Sequence, residues 1–386
     1  MARIFYSMAG EGRGHAARVS AMVDALRNEH EFTLFAPGDA YDLLAPAYRE
    51  TNVRVLKIPG LRFHYTPKNA IHPMRTIREA GMYLLRFPWL VRKLRRIIRE
   101  EHPDLIITDF EPALPKAAQE CGIPYISLDH QHFLVVNDLS SLPQSLRWQA
   151  KLMGLVVRLY CRGQAETIVS SFYRPPLLPE FRDVTQVGVL LRQEILHAQP
   201  QRGTHLLAYL RRATAENVIK AFCEAGLPVR VYGLGTQPAV GPVEFRPISQ
   251  VGFLEDLATC RAVVSTAGNQ LVGEALYLSK PVLAMPEMNN FEQRINAHFL
   301  QASGAGCSVD PAALTARHIR DFVDHIEQYV TQIDPSLVAG NGPAVDAVRR
   351  HLEPTWQEPR NPDHRRPATE NWDDTEVPEL MSLCSA

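Results

Sequence analysis

Residues 3–26 read RIFYSMAGEGRGHAARVSAMVDAL, and this stretch decides the fold class. A short apolar run, RIFYSMA, leads into Gly10, Gly12 and Gly14 at alternate positions and then into apolar residues at helical spacing. Strand, glycine loop and helix in that order open an α/β unit whose loop leaves room for a ligand at the helix start. The pattern is G-x-G-x-G-H, so the third glycine comes one place earlier than in the dinucleotide-binding G-x-G-x-x-G. Asp39 nevertheless stands roughly where that motif wants an acid. Three readings are therefore open: a cofactor loop, a purely structural turn, or a catalytic loop in which His15 is a general base.

The catalytic reading has a physical basis. A neutral imidazole, titrating near ~6.5, suits removal of a hydroxyl proton, and a helix N-terminus disfavours the charged ring. Such a base needs a carboxylate behind it to orient the ring and meet the imidazolium. Asp109 ends the apolar run DLIITDF, and the strand ends of one parallel sheet converge on one edge. The competing role for Asp109 is a helix cap before EPALPKAAQ.

Outward from the loop, strand and helix signals alternate. EFTLFAP (31–37), NVRVLKIP (52–59) and IPYISLD (123–129) read as strands, with helical tracts at 74–101 and 112–122. The second half repeats the grammar. THLLAYL (204–210) is followed by a helix capped by Thr214 and closed by Gly226, then by PVRVYGL, VEFRPI, RAVVSTA and PVLAMPE. The expectation is α/β: two Rossmann-like doubly wound parallel-sheet domains, 1–190 and 191–350, facing across a cleft and joined near VGVLLRQEI (187–195). Residues 353–386, rich in proline and charge and lacking periodicity, read as a disordered tail.

Composition narrows the function. The 386 residues carry a net charge of -1, which argues against a nucleic-acid partner held by bulk charge. Six scattered cysteines without a C-x-x-C pair suggest reduced thiols and no zinc site. The opening strand shows neither a signal-peptide pattern nor a membrane span, so the expected location is the cytoplasm.

STAGNQLVGEALYLSKPVLAMPEMNNFEQRINA (265–297) is the most informative stretch. A strand ends at Thr266, Ala267 and Gly268 turn the chain, and a helix opens near Asn269. Free amides and the positive end of the helix dipole make a diphosphate site there without a metal. Glu274, about a turn further on, leans back toward the helix start, where its carboxylate could accept both hydroxyls of a ribose. Glu292 and Gln293, on the next strand-to-helix loop, suit a ring with several hydroxyls, although acids are favoured in a first helical turn for structural reasons alone.

With these motifs in view, the chain resembles the two-domain GT-B glycosyltransferases of MurG-like and UDP-glycosyltransferase-like type over about residues 1–350. The resemblance implies His15 as base and Asp109 as its support. It implies Gly268 at the diphosphate turn, Glu274 on the ribose, and Glu292 and Gln293 on donor hydroxyls with Asn296 nearby. VGFLEDL resembles the loop that packs the base, implicating Phe253 and the backbone of Leu254. Two features depart from the pattern: YLRRATAEN replaces a glycine- and serine-rich loop, leaving Arg211 or Arg212 either to meet the diphosphate or to face solvent, and Thr266 replaces a basic residue beside the phosphates.

The implied activity is inverting, metal-independent transfer of a hexose-type sugar from a UDP-sugar to a hydroxyl acceptor, with no D-x-D motif and no cofactor. Residues 74–101 interleave Phe87, Trp89, Leu90 and Ile97 with arginines, and 145–162 have similar character. Such tracts can dock on anionic lipid, which admits a lipid or lipid-linked acceptor and a peripheral position on the membrane. They can equally be helices with one buried apolar side. His130 and His132 are placed toward the acceptor. The alternatives are a UDP-N-acetylhexosamine 2-epimerase, a non-catalytic nucleotide-sugar-binding subunit and, more distantly, a nicotinamide oxidoreductase.

Overall fold

The computed structural model describes residues 1–10, 13–60, 73–160, 162–210, 215–247 and 249–352, with backbone alone at 73–80 and 215. Gly12, Arg211, Arg212, Thr214 and the predicted tail at 353–386 lie outside the described residues.

The strands, in chain order, are β1 (Arg3–Met8), β2 (Glu31–Ala36), β3 (Arg54–Lys57), β4 (Leu105–Asp109), β5 (Tyr125–Asp129), β6 (Glu166–Ser170) and β7 (Thr185–Val187), then β8 (Leu206–Tyr209), β9 (Val229–Tyr232), β10 (Val243–Phe245), β11 (Ala262–Ser265), β12 (Val282–Ala284) and β13 (Gly306–Ser308). They form two parallel sheets, ordered β3-β2-β1-β4-β5-β6-β7 and β10-β9-β8-β11-β12-β13. A parallel sheet is covered on both faces. In the first, Tyr6 and Leu128 pack with Met22 and Leu26 of helix Arg13–Leu26 on one side. Phe5, Phe35 and Ile106 pack with Leu94 and Leu114 on the other. The second sheet is sandwiched in the same way, by clusters around Val263 and Val272 on one face and Phe222, Val264 and Phe322 on the other. The doubly wound α/β expectation holds for both halves.

β6, β7 and β13 extend the sheets beyond the predicted runs; their sequences, ETIVS, TQV and GCS, are short or polar. Residues 251–257, expected as a loop, lie inside helix Gln250–Thr259, because Ser249 caps it by accepting from Gly252 N at 3.2 Å.

The chain crosses between the sheets at Gly188–Arg192 and returns near residue 340. Val189 N donates to Val338 O at 2.8 Å, Gly340 N donates to Val189 O at 3.0 Å, and Asn341 bonds both Leu191 N and Leu191 O at 2.8 Å. The last helix among the described residues, Asn341–Arg350, then buries Ala344, Val345, Ala347 and Val348 in the core of the first sheet. The stretch 191–350 therefore does not stay with the second sheet. No helix among the described residues is long and apolar enough to cross a membrane.

Candidate active site

The first sheet reverses its winding between β1 and β4, the position at which open α/β sheets bind ligands. These two strands pair with Met8 opposite Asp109, and Ala9 N donates to Asp109 O at 2.9 Å. The glycine loop then carries the chain into helix Arg13–Leu26, whose first turn presents His15. Its Nδ1 stands 2.9 Å from Asp109 Oδ1, with the ring 14% exposed and the carboxylate fully buried. Among the described residues nothing bonds Nε2 of His15.

Asp109 is free for this role because another acid takes the cap. Glu111 accepts from Ala113 N at 2.8 Å and Leu114 N at 2.9 Å at the start of helix Ala113–Cys121, and burial raises its pKa. Arg18, which the sequence reading did not single out, donates from Nε to Asp109 Oδ2 at 2.9 Å and from Nη2 to Oδ1 at 2.8 Å. The same Nη2 lies 3.2 Å from His15 Nδ1. Its spacing of three residues from His15, one helical turn, was the available signal. Burial opposes the Arg18 charge, but Asp109 outweighs it and holds the guanidinium pKa above its ordinary value.

The glycines divide the labour differently from the expectation. A methyl group on Gly10 would stand 2.7 Å from Pro37 Cγ and Pro37 O, so this glycine admits the next loop and not a ligand. On Gly14 it would stand 3.6 Å from Gln270 Cβ, so the helix that carries His15 lies against helix Asn269–Tyr277 of the other half.

At that second helix start, Ala267 turns the chain with a left-handed φ of 63°. Gly268 is an N-cap without a side-chain cap bond, and the space before it is open. Helix amides left uncapped at an open turn are suited to an anion. Thr266 is buried at the end of β11. The Asn269 side chain faces away from the opening: Oδ1 accepts from Phe172 N at 3.2 Å and Ser171 Oγ at 3.3 Å, and Nδ2 donates to Ser170 O at 3.1 Å. It fastens the two halves together.

Glu274 is 2% exposed. Its Oε1 accepts from Arg192 Nε and Gln270 Nε2, both at 3.0 Å, and Oε2 accepts from Arg192 Nη2 at 2.7 Å. A carboxylate offers about four lone-pair positions. Three are taken, so one ribose hydroxyl, rather than both, can be accepted while Arg192 stays in place.

Of the predicted sugar-contacting group, Glu292 keeps an open side, at 31% exposure and 4.0 Å from His130 Nε2. Gln293 Oε1 accepts from Glu287 N at 2.9 Å and pins the preceding loop. Asn296 is fully buried. Its Oδ1 meets His130 Nε2 at 3.2 Å and accepts from Tyr173 Oη at 2.9 Å, and its Nδ2 donates to Ala267 O at 2.9 Å. Asn296 thus braces the Ala267–Gly268 turn from behind. His130 and His132 are buried and do not line an open acceptor surface. Burial lowers the His130 pKa, with Glu292 partly opposing. His132 Nδ1 lies 2.7 Å from Asp129 Oδ2. Burial would raise the Asp129 carboxyl, but His132 and the Ser127 hydroxyl draw it down to about 2.

Phe253 meets Tyr232 edge to face at 5.1 Å, and Leu254 packs in the core, so the side chain offered at this place is Phe253. Among the described residues no group of three or more metal-ligating side chains stands together.

Away from the opening, helix Pro73–Glu101 buries Leu90 and Ile97 but exposes Leu84 and Leu85. Helix Gln144–Tyr160 exposes Trp148, Leu152, Leu155 and Leu159 in one stripe, with Arg147, Lys151 and Arg158 beside it and no acid in its sequence. A groove of about 270 Å³ runs between Leu152 and Met153 of this helix and Met288 and Phe291.

Two parallel-sheet halves, with His15, paired to Asp109, on the helix that packs against the one opening at Gly268, have the architecture of the GT-B glycosyltransferases. The sequence profile of glycosyl transferase family 1 matches residues 2–327, and the chain belongs to that family. Its fold is shared with LpCGTa, solved in complex with UDP, at a TM-score of 0.64 and 15% identity over 92% of this chain and 100% of that one. It is also shared with the calicheamicin glycosyltransferase CalG4, at a TM-score of 0.63 and 18% identity over 91% and 98% of the two chains. MurG of Acinetobacter baumannii matches at a TM-score of 0.60 and 14% identity over 91% and 100%. No curated protein matches the sequence.

Proposed function

We propose that this glycosyltransferase moves a hexose-type sugar from a UDP-sugar to a hydroxyl acceptor with inversion and without a metal or cofactor. The observation that carries the reading is the His15–Asp109 pair, 2.9 Å apart, set against the uncapped helix start at Gly268. His15 Nε2 takes the acceptor proton, and the acceptor oxygen bonds the anomeric carbon. The bond from that carbon to the phosphate oxygen breaks on the opposite face, and its electron pair leaves with UDP. The departing charge is met by the amides at Gly268–Gln270. Glu274 accepts one ribose hydroxyl, and Glu292 engages the sugar.

The acceptor is a lipid or lipid-linked alcohol reached from an anionic membrane surface on the cytoplasmic side. The exposed stripe of helix Gln144–Tyr160, with its basic flank, and the groove between that helix and Met288 and Phe291 support this.

The test is a panel of UDP-, GDP- and dTDP-sugars with wild type and His15→Ala, reading transfer and anomeric configuration. The variant should bind UDP as wild type does and lose about 10²–10⁴-fold in transfer rate. Full activity in the variant, or retained configuration, overturns the reading. An epimer formed without acceptor would favour a 2-epimerase.

A further inference from the structure

Asp109 is fully buried, and a buried carboxylate keeps its charge only beside a counter-charge. Two groups compete for that role, His15 and Arg18. Arg18 engages both oxygens in the forked geometry that suits a guanidinium. An arginine only donates and an ionised carboxylate only accepts. His15 Nδ1, lying between them, is therefore either a donor to Oδ1 at 2.9 Å or an acceptor from Nη2 at 3.2 Å. Nη2 spends one of its two hydrogens on Oδ1 over 2.8 Å, and of the two ring contacts the shorter is the one to the carboxylate, which favours Nδ1 as the donor.

We propose that Arg18 is a positioning residue that serves as the counter-ion of Asp109 in place of His15, so that the ring rests uncharged with its proton on Nδ1 and Nε2 bare. The inference rests on the reading of His15 as base. Without Arg18, a resident imidazolium would balance the carboxylate, and an imidazolium Nε2 already carries a hydrogen and cannot take another. With Arg18 present, the proton arriving from the acceptor hydroxyl makes an imidazolium beside an ion pair that is already neutral. The ring then gives that proton to solvent after product leaves, and the resting state returns.

The experiment is ¹⁵N NMR of histidine-labelled full-length protein at pH 7 without ligand, with the His15 signals assigned by their loss in His15→Gln. Wild type should show one protonated and one bare ring nitrogen, the proton on Nδ1. Arg18→Met should show both nitrogens protonated, and Arg18→Lys, which restores the positive charge, should return the ring to the neutral form. In transfer assays Arg18→Met should lose about 10–100-fold in kcat at pH 7 with donor KM unchanged, and recover toward wild type as pH rises. A neutral ring in Arg18→Met, or a doubly protonated ring in wild type, overturns the proposal. If Arg18→Met fails to fold, a cationic ring in Arg18→Lys overturns it. The NMR measurement needs no substrate, so a wild type that transfers no sugar defeats the functional reading while the ring's state still judges this one.

Discussion

Arg192 grips both carboxylate oxygens of Glu274, at 3.0 and 2.7 Å, across 82 residues of chain. The linker between the two sheets is thereby fastened to the helix that opens at Gly268. Breaking a buried pair by removing one partner leaves the other uncompensated, at about 3–5 kcal/mol. Arg192 is 15% exposed, so Arg192→Met should cost about 3 kcal/mol, near the low end of that range. The Arg192→Met/Glu274→Leu double variant should regain most of this. Denaturant unfolding of the four proteins closes the cycle, and additive losses would show that the two side chains do not couple.

His130 sets part of the acid limit of stability. Burial lowers its pKa in the folded chain below the ordinary 6.5, so the unfolded chain binds more protons as pH falls. The stability that the neutral ring contributes is complete above about pH 6.5 and is lost on acidification through the window below it. Arg18, Asp129, Glu292 and Asn296 face the ring, and His30 and His205 are shifted in the same direction. His130→Gln should therefore flatten the slope of unfolding free energy against pH below 6.5 without abolishing it. An unchanged slope would place the effect elsewhere.

Asp129 works in the opposite sense. Its folded pKa of about 2 lies under the ordinary 3.8, so its contribution is present above pH 4 and disappears as pH falls through 2. At about 1.4 kcal/mol for each pKa unit, Asp129→Asn should cost on the order of 2 kcal/mol at neutral pH. The gap from wild type should close by pH 2, as read from unfolding curves across that range.

Gly273 is a packing device. A Cβ there would overlap the Val189 side chain, so the glycine is what lets helix Asn269–Tyr277 lie against the linker. Gly273→Ala should cost about 1–3 kcal/mol by overpacking. Val189→Ala in the same protein should return part of it, and a melting series would show whether it does.

The exposed stripe gives a binding prediction. Wild type should float with vesicles containing phosphatidylglycerol and much less with phosphatidylcholine alone. Replacing Trp148, Leu152, Leu155 and Leu159 by Ser should abolish flotation while leaving the melting temperature within a few degrees, because these side chains are exposed. Flotation that survives the change would move the contact to another face.

What the sequence made legible follows local chemistry. β1 with its glycine loop, Asp109 at a strand end, and the small residues before Asn269 each announce themselves within about ten residues. The ring-to-carboxylate pairing could be anticipated because parallel strands deliver their C-terminal ends to one edge. The contacts that escaped are between distant segments: Arg192 with Glu274, and Tyr173 and His130 on Asn296. Nothing near Asn269 or Asn296 in the chain reveals that their side-chain oxygens are engaged by the opposite half. β13 and β7, at three residues each, are too short for a period to show.

The outgoing and returning crossings, laced by Val189 with Val338 and by Asn341 with Leu191, amount to a double-stranded strap. A single thread would let the halves swivel about it; two bonded threads resist torsion and leave bending as the soft motion. Cutting the chain before residue 341 would unstitch this strap and also strip the Val345 and Val348 covering from the first sheet, so helix Asn341–Arg350 is an organ of the lobe that opens the sequence.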